Sequence, residues 1–159
     1  VKVLFLDIDG VLNSMNTFRG LPKNGRRERI DPACIERLDR IIDATGTRVV
    51  VSSTWRFGGL EYLHEVFAAF GLRNVHAVID ITPRVIDGLG SVASNARGRE
   101  IGAWLSQRPD VKVFAIVDDD ADMDPFLRRL VQTSFETGMT DEHASQLIAL
   151  LGAPEGEAI

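Results

Sequence analysis

The stretch Val1-Lys2-Val3-Leu4-Phe5-Leu6-Asp7-Ile8-Asp9-Gly10-Val11 opens the chain and sets the reading of everything after it. Val1–Leu6 is a short apolar run with a single lysine, which reads as a strand buried on both faces. Two carboxylates follow at its carboxyl end. Side chains alternate along extended chain, so Asp7 and Asp9 point the same way if that geometry persists. Gly10 then lets the backbone turn away. The D-x-D spacing carries little alone, because it recurs at Asp118/Asp120, Asp120/Asp122 and Asp122/Asp124. The strand before Asp7 and the glycine after Asp9 give it meaning. In such a pair one carboxylate can attack phosphorus while the other handles a proton.

Outward from this stretch, strand and helix patterns alternate. Asp31 reads as a helix N-cap with Pro32 at the first helical position. Ile35, Leu38, Ile41 and Ile42 follow at helical spacing, and Gly46 ends the helix. Arg48–Val51 is a second strand. Leu60, Leu63, Phe67 and Phe70 mark a second helix closed by Gly71. A third strand is expected at Val75–Ile79, a third helix at Ala96–Gln107, a fourth strand at Val111–Val117 and a short fifth at Leu130–Thr133. Thr140 caps a last helix stopped by Gly152, and residues 153–159 form a tail. The alternation predicts an α/β fold, a three-layer Rossmann-like domain over 1–152 with a mainly parallel central sheet.

Parallel sheets bind ligands beyond the carboxyl ends of their strands. The polar residues fall there. Leu6 is followed by Asp7, Val51 by Ser52-Ser53-Thr54, and Val117 by Asp118-Asp119-Asp120. Carboxylates gathered at one edge repel one another, and a divalent cation removes the conflict. Mg²⁺ suits such oxygen donors, usually together with water and a substrate phosphate.

The chain has 159 residues, 45% hydrophobic and 26% charged, ordinary values for a globular domain. Disorder is excluded by the apolar content, and a disulfide scaffold by the lone Cys34. No apolar run has the length of a membrane helix, and no secretory signal is evident, so a cytoplasmic protein is expected. The net charge of −5 hides two clusters. Arg19, Lys23, Arg26, Arg27 and Arg29 against Glu28 give a local +4, and five aspartates lie between Asp118 and Asp124. Each reads plainly as a solvated loop. Side by side they suit a phosphorylated ligand held through a cation.

With Val3-Leu4-Phe5-Leu6-Asp7-Ile8-Asp9-Gly10-Val11, Val49-Val50-Val51-Ser52-Ser53, Arg97 and Ile116-Val117-Asp118-Asp119, the chain resembles the haloacid dehalogenase superfamily of phosphatases over roughly residues 1–150. The stretches Ser52-Ser53-Thr54-Trp55-Arg56 and Arg97-Gly98-Arg99-Glu100-Ile101 look like the small phosphatase-like domains grouped with RNA-repair proteins. The resemblance implies an aspartyl-phosphate on Asp7, with Asp9 protonating the leaving group and then activating water. It implies Mg²⁺ held by Asp7, the Asp9 carbonyl and Asp118, with Asp119 or Asp122 assisting. Ser52, with Ser53 as the alternative, would bond a phosphoryl oxygen. The family's usual third-motif lysine is replaced by arginine. Arg97 is preferred over Arg99, because it leaves Ile101 and Trp104 facing inward.

In the family the region after the first motif forms a hairpin flap, which maps to residues 13–29. Asn13, Arg26, Arg27, Trp55 and Arg56 are the expected substrate contacts. The 42 residues between Asp9 and Ser52 leave no room for a cap domain, so an open site is expected. An open site favours a large substrate such as a nucleic-acid end, without excluding a nucleotide. Alternatives are a phosphotransferase, or a non-catalytic phosphate- or nucleic-acid-binding module. His64, His76 and His143 lack metal-ligand spacing and read as structural, as does Cys34.

Overall fold

The computed structural model describes residues 1–22, 24–86 and 95–152. Lys23 and the tail at 153–159 lie outside the described residues. Five parallel strands form one sheet: β1 Lys2–Leu6, β2 Arg48–Val51, β3 Val78–Ile81, β4 Val113–Asp118 and β5 Leu130–Gln132. Their spatial order is β3-β2-β1-β4-β5. The chain therefore builds outward from β1 in one direction, then returns to β1's other side with β4. The switch point lies between β1 and β4, where the sequence sets its acids.

The described helices are α1 Met15–Arg19, α2 Pro32–Thr45, α3 Leu60–Ala69, α4 Ala96–Ser106 and α5 Asp141–Gly152. Right-handed crossovers put helices on opposite faces when the direction of strand addition reverses. The core divides accordingly. Leu4, Leu6, Val49, Val51, Ala115 and Val117 pack beneath residues of α2, α3 and α5. Val3, Phe5, Val50 and Ile116 face the other way, against Ile101 and Trp104 of α4 and against Met123. The period-two alternation of each strand thus feeds two cores, which is why the strands read as continuous apolar runs.

α2 follows its sequence signals. The Asp31 side chain accepts from Ala33 N at 2.9 Å, Pro32 takes the first helical position, and Gly46 closes the helix at φ 66°. α5 begins after Thr140, whose Oγ1 accepts from His143 N at 3.3 Å. His143 and His64 are both engaged with local backbone or hydroxyl groups, and Cys34 is buried. Burial pushes the Cys34 thiol up, away from reactivity.

Two elements differ from expectation. Val75–Ala77 is a 3-10 turn, and β3 begins only at Val78. The buried Asp39 carboxylate of α2 accepts from the amides of Arg73 and Asn74, each at 3.0 Å, and bends the chain there. Residues 15–19 form α1 instead of one arm of a hairpin, with Thr17 Oγ1 accepting from Ser14 N at 3.1 Å.

Candidate active site

The sheet ladder runs on past the strand ends. Ser52 N donates to Leu6 O at 2.9 Å, and Asp7 N donates to Val117 O at 3.0 Å. Leu6 pairs with Val51 and with Val117, so Ser52, Asp7 and Asp118 stand in one row. Thr82 extends the row beyond Ser52, its N–H donating to Val51 O at 3.0 Å. Four residues separated widely in sequence thus meet because their strands share a register.

Asp7, Asp118 and Asp119 bring carboxylate oxygens within 4.8 Å of one another. Asp7 is 7% exposed and Asp118 is 1% exposed. Burial drives the Asp7 carboxyl up to about 6, against the pull of Arg97. Burial, then the nearby Asp7 charge, drives Asp118 up to about 8. Asp119 is raised chiefly by burial. Asp118 Oδ1 accepts from Asp120 N at 2.9 Å. Its Oδ2 is buried without a hydrogen bond from any described residue, with Arg97 Nε 3.4 Å away as an ion pair. Three acids pressed together, one with an orphaned oxygen, suit a hard divalent cation.

Gly10 sits at φ 79°, and a Cβ there would collide with the Asp119 carboxyl. The glycine therefore serves both the turn and the close approach of Asp119. Thr133 Oγ1 donates to Gly10 O at 2.6 Å and pins that turn to the chain leaving β5.

The hydroxyls separate in role. Among the described residues Ser52 Oγ is buried without a partner, and so is Thr82 Oγ1. Ser53 Oγ instead accepts from Trp55 N at 3.3 Å and caps the 3-10 turn Thr54–Gly58. Arg97 reaches the cluster, whereas Arg99 is exposed.

Asp9 stands apart from the carboxylate cluster. Its Oδ1 accepts from Asn13 Nδ2 at 2.9 Å and its Oδ2 from Trp55 Nε1 at 3.1 Å. Beside it runs a groove of about 390 Å³ lined by Phe18, Arg27, Glu28, Arg29, Trp55 and Tyr62. Arg27 is exposed there. Arg29 Nη1 is buried and has no partner among the described residues.

Several expected contacts change role. Asn13 is completely buried; its Oδ1 accepts from Gly10 N at 2.8 Å, and its amide also donates to Arg29 O at 2.9 Å. It holds loops and has no free group for a substrate. Arg26 is bound to Glu28 and Glu65 at 3.0 and 3.2 Å. Arg56, 3% exposed, pairs with Glu100 Oε1 at 2.9 Å and donates to the carbonyls of Ser52 and Ser53. It braces the hydroxyl loop from beneath. Asp122 turns to α4, where its Oδ2 accepts from Arg97 N at 3.4 Å and its carbonyl from Gly98 N at 2.9 Å, so it lies outside the acid cluster.

Glu100 and Thr82 escape the sequence reading. Glu100 lies on the inward face of α4, three residues after Arg97, a spacing that does signal a pair. Thr82 directly follows β3, and ending that strand two residues early, at Ile79, hides it.

No helix among the described residues is long and apolar enough to cross a membrane. A search of curated proteins finds no match to the chain. A family model described as the HAD domain in Swiss Army Knife RNA repair proteins matches residues 3–144, from β1 into α5. With that span and this sheet-edge geometry, the chain belongs to the family of HAD domains found in Swiss Army Knife RNA repair proteins.

Proposed function

We propose that this HAD-type hydrolase is a Mg²⁺-dependent phosphomonoesterase acting through an aspartyl-phosphate on Asp7, with nucleic-acid ends or nucleotides as substrates. The observation that carries the reading is the row Ser52–Asp7–Asp118, with the Ser52 hydroxyl unpartnered among the described residues and Arg97 beside Asp118. An Asp7 oxygen attacks phosphorus and the bond to the leaving oxygen breaks, while Asp9 supplies that oxygen's proton. Water then attacks phosphorus, giving its proton to Asp9, and the Asp7–phosphorus linkage breaks to free phosphate. Ser52 and Arg97 hold the phosphoryl oxygens throughout. Phosphoryl transfer is mostly positioning and charge stabilisation, so this set is sufficient in kind.

Asp7, Asp118 and Asp119, with the main-chain carbonyl of Asp9, would hold Mg²⁺. Bound there, the ion supplies charge neutralisation for the phosphoryl oxygens. The raised carboxyls give a test that needs no turnover. Asp7 and Asp118 are raised above their ordinary 3.8, so their stabilising contribution is present at acid pH and is lost as pH rises through about 6 and about 8. Metal-free protein should melt lower at pH 8 than at pH 5.5. Mg²⁺ at a fixed concentration about 100-fold above its Kd at pH 8 should raise Tm by about 5–10 °C at pH 8, and by less at pH 5.5, where protonated acids bind it more weakly. Equal shifts at both pH values would remove these acids from the metal site.

The leaving group must lie beside Asp9, where aromatic side chains alternate with Arg27 and Arg29. Rings and cations together suit bases and phosphates. Arg27→Ala should reduce kcat/KM for a phosphorylated oligonucleotide and flatten its salt dependence, with a small aryl phosphate unaffected. Equal losses on both would make Arg27 structural. Phosphate release from aryl phosphate, nucleotides, sugar phosphates and end-phosphorylated oligonucleotides, with Mg²⁺ and with chelator, tests the whole reading. Absence of release from every substrate, with oligonucleotide still bound, would favour a binding module.

A further inference from the structure

We propose that Trp55 and Asn13 are positioning residues that aim the Asp9 carboxyl toward the leaving-group side of the site, a role that rests on the phosphomonoesterase reading. The two bonds on Asp9 come from opposite directions. Asn13 belongs to the loop after β1, four residues from Asp9. It is fixed in turn by Gly10 N and by the carbonyl of Arg29, so it cannot swing without opening that loop. Trp55 arrives from the loop after β2, 46 residues from Asp9 in sequence. Its backbone N–H is held by Ser53 Oγ, and the turn that carries it is anchored through Arg56 to Glu100.

One carboxyl oxygen is thus tied to its own strand and the other to its neighbour's. Rotation about the Asp9 side chain breaks at least one of the two bonds. The indole also lines the groove beside Asp9. A stacking role there requires only the flat ring. A positioning role requires the Nε1–H. Trp55→Phe keeps the first and deletes the second.

The experiment measures kcat and KM of the parent protein, Trp55→Phe, Asp9→Asn and the double variant with Mg²⁺. Two small esters are compared: p-nitrophenyl phosphate, whose leaving oxygen needs little protonation, and an alkyl phosphate, whose leaving oxygen needs it fully. Trp55→Phe should lower kcat/KM on the alkyl ester, which reports the leaving-group step and not the later hydrolysis in which Asp9 acts as base, on the order of 10–100-fold, a fraction of what a general acid contributes. On p-nitrophenyl phosphate the loss of kcat/KM should stay within about 3-fold. In the Asp9→Asn background the same change should add no further discrimination between the esters. Equal losses of kcat/KM on both esters, a rise in KM with kcat intact on the alkyl ester, or an increase in kcat/KM would each overturn the positioning role alone. An end-phosphorylated oligonucleotide, itself an alkyl ester, serves as a second alkyl substrate, and a parent protein inert on all three would overturn the phosphomonoesterase reading and this inference with it.

Discussion

Replacing Asp7 by Asn is expected to reduce Mg²⁺-dependent phosphate release by on the order of 10⁴-fold or more, the scale of losing a covalent nucleophile. The amide keeps the size and shape of the carboxyl but cannot attack phosphorus. The fold should tolerate the change well. Asp7 is a buried acid whose charge already opposes that of Asp118, so removing it relieves repulsion. Without metal, the variant should melt at or above the parent temperature at pH 8. It should also gain less from Mg²⁺, having lost one of three clustered carboxylates. Activity and metal response therefore fall while the melting temperature holds or rises, which a merely misfolded variant cannot imitate. Near-native turnover by Asp7→Asn would remove Asp7 as the nucleophile.

The second large effect is on stability. Glu100 is 4% exposed, faces Arg56 Nη2 at 2.9 Å, and lies 3.5 Å from Arg97 Nη1. Burial works against the charge of Arg56, and Glu100 is the first of the groups that offset it. Glu100→Ala would leave that guanidinium enclosed without a carboxylate. Breaking a buried pair from one side costs about 3–5 kcal/mol. For a domain of this size, the melting temperature should fall by roughly 6–20 °C. The damage should reach the chemistry as well, because Arg56 holds the carbonyls of Ser52 and Ser53. Thermal unfolding of the variant checks the first expectation. A shift within about 2 °C would mean that water or another group satisfies Arg56.

The legible parts of the molecule are those whose causes are local. β1, β2 and α2 are readable because burial pattern, cap and terminating glycine lie within a few residues of each other. The row of polar residues is readable because each follows directly on an apolar strand. The start of β3 is hidden, since it is set by Asp39, more than thirty residues upstream. Arg26 reads as a free cation, yet its shorter ion pair is with Glu28 two residues on, and only its second partner, Glu65, is 39 residues away. Asn13 and Arg56 read as polar residues near the site, and so they are. Composition cannot tell that both are turned inward to hold the backbone. Long-range pairing separates a residue that touches a ligand from one that holds the residue that does.

The chain's two tryptophans are placed as signal and reference. Trp104 is enclosed in the core, its Nε1–H donating to Asp80 at 2.8 Å. Trp55 stands at the mouth of the groove, with its Nε1–H on Asp9. Any molecule that settles beside Asp9 must displace water from the second indole and leave the first untouched. The protein therefore carries a native optical probe of occupancy. With Trp104→Phe as background, the remaining emission comes from the groove alone, and a titration can follow binding without label, cleavage or product.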